Sequence, residues 1–187
     1  MHLLVPHFVD DRPETRDALR ATPPAALLRW LQHARPVARS AAPAAAGYAS
    51  GVERYVANAL SLDVADGALP WAALQRHWQG LPADGAWGEL RLVHWRVGRD
   101  DIVLHPQLAL GVTPDEHAAI EQSIAALLRD DGLQLHTVQP GVWHVQGDPL
   151  RGLRTASAVR AAGRDMRNFQ PLAADGRVAR TWQRVAA

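Results

Sequence analysis

Two histidine–tryptophan pairs are the residues of this chain whose types and spacing point most directly to chemistry. His94-Trp95 and Trp143-His144 occur in mirror order within two segments that are rich in β-forming residues. Because successive side chains of a strand point to opposite faces, each pair separates a histidine from a tryptophan. If the two strands were neighbours, both histidines would share one face, where imidazoles act as acid–base groups or metal ligands.

A phosphoester-handling site is one hypothesis for such a face. His94 and His144 would transfer protons, and Arg96 or Arg99 would hold the phosphate, because a guanidinium matches phosphate geometry. These four residues are the candidate catalytic residues. The hypothesis describes a small phosphatase-like enzyme.

A metal site is the second possibility for the histidines. The candidate ligands are His94, His136 and His144, since His136 lies on the same predicted hairpin as His144. The sequence contains no HxH or HExxH motif, and no carboxylate lies at ligand spacing beside these residues. The simpler interpretation is a pair of partly exposed strand histidines with Trp95 and Trp143 in the core. We therefore predict no bound metal and no other cofactor.

Other catalytic signatures are missing from the sequence. There is no cysteine, and therefore no disulfide framework, thiolate nucleophile or cysteine metal site. No serine lies in a G-x-S-x-G turn, and neither a Walker A motif nor a G-x-G-x-x-G loop is present. These absences favour a protein that is not an enzyme.

Charge is distributed unevenly along the 187 residues, and all 20 cationic residues are arginine. Residues 1–150 carry a formal net charge of −5, whereas residues 151–187 carry +6. A basic end predicts an interaction surface, although a solvated amphipathic helix would explain it too. The candidate interaction residues are Trp182, Arg177, Arg180 and Arg184, since Trp and Arg anchor many interfaces. No nucleic-acid-binding module is legible around them, so we expect a protein partner and not a nucleic acid.

The N-terminus argues against export and against a membrane span. The opening residues MHLLVPHFVDD lack a basic segment, and polar residues interrupt their apolar run. No apolar run in the chain approaches the roughly 20 residues that a spanning helix needs. The sequence therefore predicts a cytoplasmic protein with no membrane partner.

The order of predicted elements divides the chain into four parts. These are an N-terminal strand with helices (1–35), a Pro- and Ala-rich linker or loop (36–47), an α+β core (48–171) and a basic C-terminal helix (172–187). Helical spacing predicts helices near Pro13–Arg20, Pro24–Ala34, Ser50–Leu60 and Pro70–Gln79. The last helix reaches Ala187 without a C-cap, which predicts a truncated chain.

The core combines two hairpins with one helix between them. Leu90–Val97 and Ile102–His105 form the first hairpin, and Leu133–Val138 and Val142–Gln146 form the second. The helix between them begins at the capping box Thr113-Pro114-Asp115-Glu116 and ends at Gly132. This β-β-α-β-β order predicts the α+β class: an antiparallel sheet of two hairpins packed with helices, preceded by a helical N-terminal portion.

Several segments of the core carry a family resemblance. The runs HWRVGRDDIVL, TPDEHAAIEQSIAALLRDDGLQLH, GVWHV and TASAVRAAGRDMRNFQP resemble the RpfE-type regulatory proteins of proteobacteria, whose relatives are often labelled cofactor-independent phosphoglycerate mutase-like. The resemblance implies a bacterial regulatory or uncharacterised role. It supplies no catalytic residue, because the metal-binding and serine motifs of the true mutases are not present here.

Two functional hypotheses follow from the sequence. The first is a cytoplasmic regulatory-type protein that acts through contacts with another protein. The alternative is a small phosphate-handling enzyme, phosphoglycerate mutase-like or phosphatase-like, that uses the strand histidines. Exposed tryptophans from the set Trp30, Trp71, Trp78 and Trp182 would extend the contact surface in the first case.

Overall fold

The computed structural model describes residues 25–35, 47–105 and 111–174, together with positions 17 and 21. The chain divides into two compact units, Met1–Ala44 and Ala45–Ala187. This division falls within the segment 36–47 that the sequence predicts as a linker. The predicted opening strand, most of the first predicted helix and the predicted C-terminal helix beyond position 174 lie outside the described residues.

Within the described ranges, helices occur where helical spacing predicts them near Pro24–Ala34, Ser50–Leu60 and Pro70–Gln79. The first unit contains α1 (Ala25–Leu31), and the second contains α2 (Gly51–Ala59), α3 (Trp71–Trp78), α4 (Pro114–Asp130) and the short α5 (Ala158–Ala161). Single 3-10 turns cover Asp148–Leu150 and Met166–Phe169. Among the described residues, no helix combines the length and the apolar character needed to cross a bilayer.

Reciprocal side-chain caps fix where the two longest helices begin. The predicted capping box of α4 is present, with Thr113 and Glu116 each accepting a hydrogen bond from the other's backbone nitrogen. α2 begins in the same way at Ser50 and Glu53. Each box satisfies two backbone donors that the first turn leaves unpaired, so both helices begin at fixed residues.

The strands form two antiparallel sheets. A three-stranded sheet has the order β1 (Trp87–Arg91), β5 (Val142–Gln146) and β4 (Gln134–Gln139), so that β5 is central. A two-stranded hairpin pairs β2 (His94–Val97) with β3 (Ile102–His105). Helices with antiparallel sheets confirm the predicted α+β class.

The first predicted hairpin does not join the second in one sheet. The predicted strand Leu90–Val97 is broken at Leu92 and Val93, and its two halves belong to different sheets. The Leu92 nitrogen still donates to the Gly141 carbonyl oxygen (2.8 Å), whereas Val93 packs against the apolar cluster beneath β3. An alternating pattern identifies a strand but not its partner, which is why the break was not predicted.

Two apolar clusters hold the second unit together. One lies between the three-stranded sheet and α4, and its buried members are Leu128, Leu133, Val145 and Leu150. The other lies beneath the β2–β3 hairpin, and its buried members are Leu104, Ala161 and Phe169. The hairpin and the three-stranded sheet therefore pack against different apolar clusters.

Candidate functional site

The structure does not bring the candidate catalytic histidines together. His94 is exposed on β2, in the two-stranded hairpin, while His144 is buried on β5, in the centre of the other sheet. The cross-strand partner of His94 is His105, whereas the partners of His144 are Glu89 and His136. Arg96 and Arg99 are exposed on the hairpin of His94. The described residues therefore do not assemble the hypothetical phosphoester site.

The simpler interpretation of the two mirror-order pairs is also wrong in two respects. Trp143 is buried as predicted, but Trp95 is 36% exposed, and His144 is 1% exposed instead of partly exposed. The cause is the position of each strand. β5 is central and has a helix on both faces, so neither of its faces reaches water. β2 belongs to a two-stranded ribbon, which buries much less of its surface.

A polar row crosses the three-stranded sheet at its centre. Glu89, His144 and His136 are register partners on β1, β5 and β4, so their side chains share one face. The Glu89 side chain is 16% exposed, and His144 is almost fully buried. α3 covers this face: its Gln75 amide lies 3.0 Å from His144 Nε2, and its Arg76 guanidinium stacks 3.9 Å above the Trp87 ring centroid.

Gln75 links the polar row to the tryptophans of α3. With its oxygen accepting from Trp71 Nε1 (2.8 Å), its nitrogen donates to Glu89 Oε2 (3.2 Å) and to His144 Nε2 (3.0 Å). This orientation of the amide is assigned from the hydrogen bonds that it satisfies. Since His144 Nε2 accepts, the neutral imidazole carries its proton on Nδ1. The network therefore holds a neutral histidine beneath the helix.

Burial favours the uncharged form of both histidines in the row. It lowers the pKa of His144, and the nearby Arg76 and His136 lower it further, while Glu89 opposes them. Burial also lowers the pKa of His136, again with a contribution from Arg76. Within the described residues, the buried His136 Nε2 makes no hydrogen bond. Both rings are therefore neutral near pH 7.

On the opposite face of the same sheet, α4 contributes a carboxylate that binds two side chains of the sheet. Glu121 accepts hydrogen bonds from Trp143 Nε1 (3.0 Å) and from Thr137 Oγ1 (2.8 Å). These two hydrogen bonds lower the Glu121 pKa. Trp143 is thus held by packing and by a charge-assisted hydrogen bond, which suits a structural role.

A groove opens where α3 ends above this sheet, and we call it the Trp78 groove. Its lining residues are Gln75, Trp78, Gln79, Glu89, Arg91, Val138, Gln139 and Val142. Trp78 is 57% exposed and Val138 is 43% exposed, so two large apolar side chains face water at one opening. The volume is about 250 Å³, below the roughly 300–1,000 Å³ of enclosed small-molecule pockets.

The Trp78 ring is held in place although it is exposed. Its neighbour on α3 is Trp71, at 6.0 Å between ring centroids and 88° between ring planes. The two rings therefore lie on the same side of α3. Edge-to-face packing of this kind stabilises an aromatic pair by about 0.5–1.5 kcal/mol beyond the area that it buries. Within the set of candidate contact tryptophans, Trp30 on α1 is also exposed, at 54%.

Three described arginines of the basic C-terminal part bind main-chain carbonyl oxygens that are distant in sequence; Arg160 is buried, Arg154 is partly exposed and Arg167 is exposed. Arg160, only 5% exposed, donates to the Gly47 carbonyl oxygen (3.0 Å), and Arg154 Nε donates to the Asp66 carbonyl oxygen (2.8 Å). Arg167 binds the Asp165 carboxylate and the Asp100 carbonyl oxygen. We call Arg154, Arg160 and Arg167 the arginine clamps. Arg160 departs from the solvated helical face that the sequence suggested, whereas the Arg167 side chain is 59% exposed. The candidate interaction residues Arg177, Arg180, Trp182 and Arg184 lie outside the described residues.

Asp66 anchors the segment that two of these arginines approach. Its carboxylate accepts hydrogen bonds from the Tyr48 and Ala49 nitrogens (2.7 and 2.9 Å) and lies 3.6 Å from Arg154 Nη2. Partial burial raises the pKa of Asp66, but these hydrogen bonds and Arg154 outweigh that effect and lower it overall. The carboxylate therefore fixes the chain just before α2.

No set of three or more His, Cys, Asp or Glu side chains in the described part of the chain has the geometry of a metal site. Of the three candidate ligands, His136 and His144 are register partners, and His94 lies on the other sheet. The sequence hypothesis overlooked His105, although its position opposite His94 follows from the length of the hairpin turn.

Comparisons with protein-family models, with curated proteins and with solved structures each gave no match. The resemblance to RpfE-type regulatory proteins therefore stays a prediction.

Proposed function

We propose that this chain is a cytoplasmic regulatory-type protein that acts by binding another protein, and that the Trp78 groove is its contact surface. One observation supports this most directly: a ring-packed tryptophan and a valine stay exposed together at a groove with a polar floor. Trp is the residue type that most often dominates binding energy when a partner covers it.

The groove suits a side chain of a partner protein better than an enclosed small ligand. It is shallow, and Glu89 and Arg91 on its floor neutralise each other across 2.5 Å. An apolar side chain would pack against Trp78 and Val138, while the amides of Gln79 and Gln139 offer donors and acceptors for a peptide backbone. The partner chemistry is therefore an extended segment with a bulky apolar residue.

A displayed library of random peptides, selected on the full chain, tests this function. We expect enriched peptides to share a bulky apolar residue and to bind at least about tenfold more weakly to Trp78→Ala, a loss of roughly 1.4 kcal/mol or more. Trp30→Ala is the matched control, since it removes an equally exposed tryptophan from α1. Equal binding by wild type and Trp78→Ala would contradict the proposal.

Hydrogen exchange gives a second measurement that does not depend on a substitution. A bound peptide should slow exchange at the end of α3 and at the β4–β5 turn, because those backbones line the groove. Protection confined to the β2–β3 hairpin would place the binding surface there and would contradict the proposal that the Trp78 groove is the contact surface.

A further inference from the structure

We infer that His94 and His105 form a two-histidine site for a divalent transition-metal ion such as Ni²⁺, Zn²⁺ or Cu²⁺ on the β2–β3 hairpin. The two residues are register partners across the hairpin. Their ring centroids are 5.7 Å apart, with 65° between the ring planes. This site is separate from the Trp78 groove, and its existence does not depend on the proposed function.

The geometry places two imidazoles at the separation that one ion requires. A metal ion binds imidazole nitrogen at about 2.0–2.1 Å, so two rings that share an ion have centroids on the order of 5 Å apart. Small side-chain rotations bring the observed pair to that separation. Because the residues lie on paired strands, the backbone already holds both rings on one face of the hairpin.

The two rings are accessible and not otherwise engaged. His94 is exposed and His105 is partly exposed. Within the described part of the chain, neither side chain forms a hydrogen bond or an ion pair. The two rings contact each other. By contrast, His144 is buried against Gln75 and is closed to an incoming ion.

Imidazole ligands select the class of ion. Neutral histidine nitrogen suits Cu²⁺, Ni²⁺ and Zn²⁺, whereas Mg²⁺ and Ca²⁺ prefer oxygen ligands. Two protein ligands leave the remaining coordination positions to water or to a ligand atom from a second molecule. Arg96, two positions after His94 on β2, lies on the same face of the hairpin. Its charge opposes the ion and limits the affinity.

The test uses the full chain without a histidine tag and Ni²⁺ as the probe. At less than one equivalent, we expect NMR signals of residues 94–97 and 102–105 to broaden before those of other histidine-containing segments. Calorimetry should show that His94→Gln and His105→Gln each weaken Ni²⁺ binding at this site by roughly tenfold to 100-fold, the scale on which groups of a metal site tune affinity. His77→Gln, which removes an exposed histidine of α3, is the matched control.

The number of ions bound distinguishes chelation from two independent contacts. If both rings hold one ion, wild type binds one Ni²⁺ at the hairpin, and either single substitution weakens that site because the remaining imidazole binds the ion alone. If each single variant instead keeps the affinity of the remaining histidine and only lowers the number of ions bound, or if broadening begins at another histidine, the two-histidine site is overturned. Unchanged circular dichroism of the variants shows that the hairpin has stayed folded.

Discussion

The centre of the three-stranded sheet and the β2–β3 hairpin each contain a histidine next to a tryptophan. The sheet buries both side chains, whereas the hairpin exposes both. On β5, Trp143 and His144 are both 1% exposed, while on β2 Trp95 and His94 both reach the solvent. β5 has strands on both sides and helices on both faces, whereas β2 has one neighbouring strand. The position of a strand in its sheet, and not its local sequence, therefore decides which side chains are buried in the core and which are exposed and able to bind other molecules.

Removal of the two tryptophans should give the largest difference between these regions. Trp143→Ala removes a fully buried ring and its hydrogen bond to Glu121, so we expect a loss of about 3–5 kcal/mol in the free energy of unfolding. Trp95→Ala should cost about 1 kcal/mol, since the ring already contacts water. Urea denaturation of both variants measures the two values. Similar losses would show that the hairpin tryptophan is as well packed as the central one.

Substitution of the histidines should sharpen the same contrast at a smaller scale. His144→Leu keeps most of the volume but removes the ring nitrogen that accepts a hydrogen bond from the Gln75 amide, and it leaves that partly buried amide without this acceptor. An unsatisfied buried polar group costs about 1–3 kcal/mol, which is the expected loss. His94→Leu, an exposed site, should change stability by no more than about 0.5 kcal/mol. Denaturation curves that rank the two variants in the reverse order would refute the polar network.

Acidification should destabilise the three-stranded sheet, where His136 and His144 are enclosed. The folded chain lowers the pKa of His136 and His144, whereas the unfolded chain protonates histidine near its ordinary value of 6.5. Their neutral forms therefore contribute stability that is fully present above pH 6.5 and is lost as the pH falls through the folded-state pKa. Between about pH 7.5 and 5.5, where carboxylates change little, the melting temperature of wild type should fall.

A double variant supplies the control for that titration. His136→Gln with His144→Gln should flatten the pH dependence of melting relative to wild type. Hydrogen exchange of wild type at pH 5.5 should first increase in α3 and β4, the elements that enclose the titrating rings. An equal pH slope in wild type and in the double variant would remove the polar row as the source.

The smallest expected effect concerns the charge beside the two-histidine site. Arg96→Gln removes a cation from the face of the hairpin that carries His94 and His105, so Ni²⁺ should bind more tightly. An exposed charge contributes no more than about 1 kcal/mol, which limits the gain to roughly fivefold. The gain should shrink as salt is added, because salt screens exposed charges. Weaker binding by the variant would imply that Arg96 supports the site.

Local signals predicted much of the fold. The capping box at Thr113, Gly132 after α4 and Gly141 in the second hairpin located a helix and two strands, because each signal acts within a few residues. The helices near Ser50–Leu60 and Pro70–Gln79 followed from apolar spacing and were found there. Turns, caps and helical periodicity can thus be recognised in the sequence without knowledge of the tertiary structure.

The candidate sites were less accessible to sequence reasoning, because they depend on contacts between distant residues. Gln75 lies 69 positions before His144, and no local pattern announces that the two meet. The break at Leu92 and Val93, which separates the two sheets, likewise depends on partners elsewhere in the chain. The position of His105 could have been predicted from the sequence, since pairing across a four-residue turn places it opposite His94.

The arginine clamps have a consequence for how this chain tolerates change. Arg154, Arg160 and Arg167 donate to main-chain oxygens of residues 66, 47 and 100, and every amino acid offers such an oxygen. A substitution of Asp100 therefore keeps this bond, whereas Gly47 has a positive φ (91°) and the Asp66 carboxylate holds the Tyr48 and Ala49 nitrogens. An insertion or deletion near any of the three residues would move the oxygens themselves. The clamps therefore constrain the length of these loops.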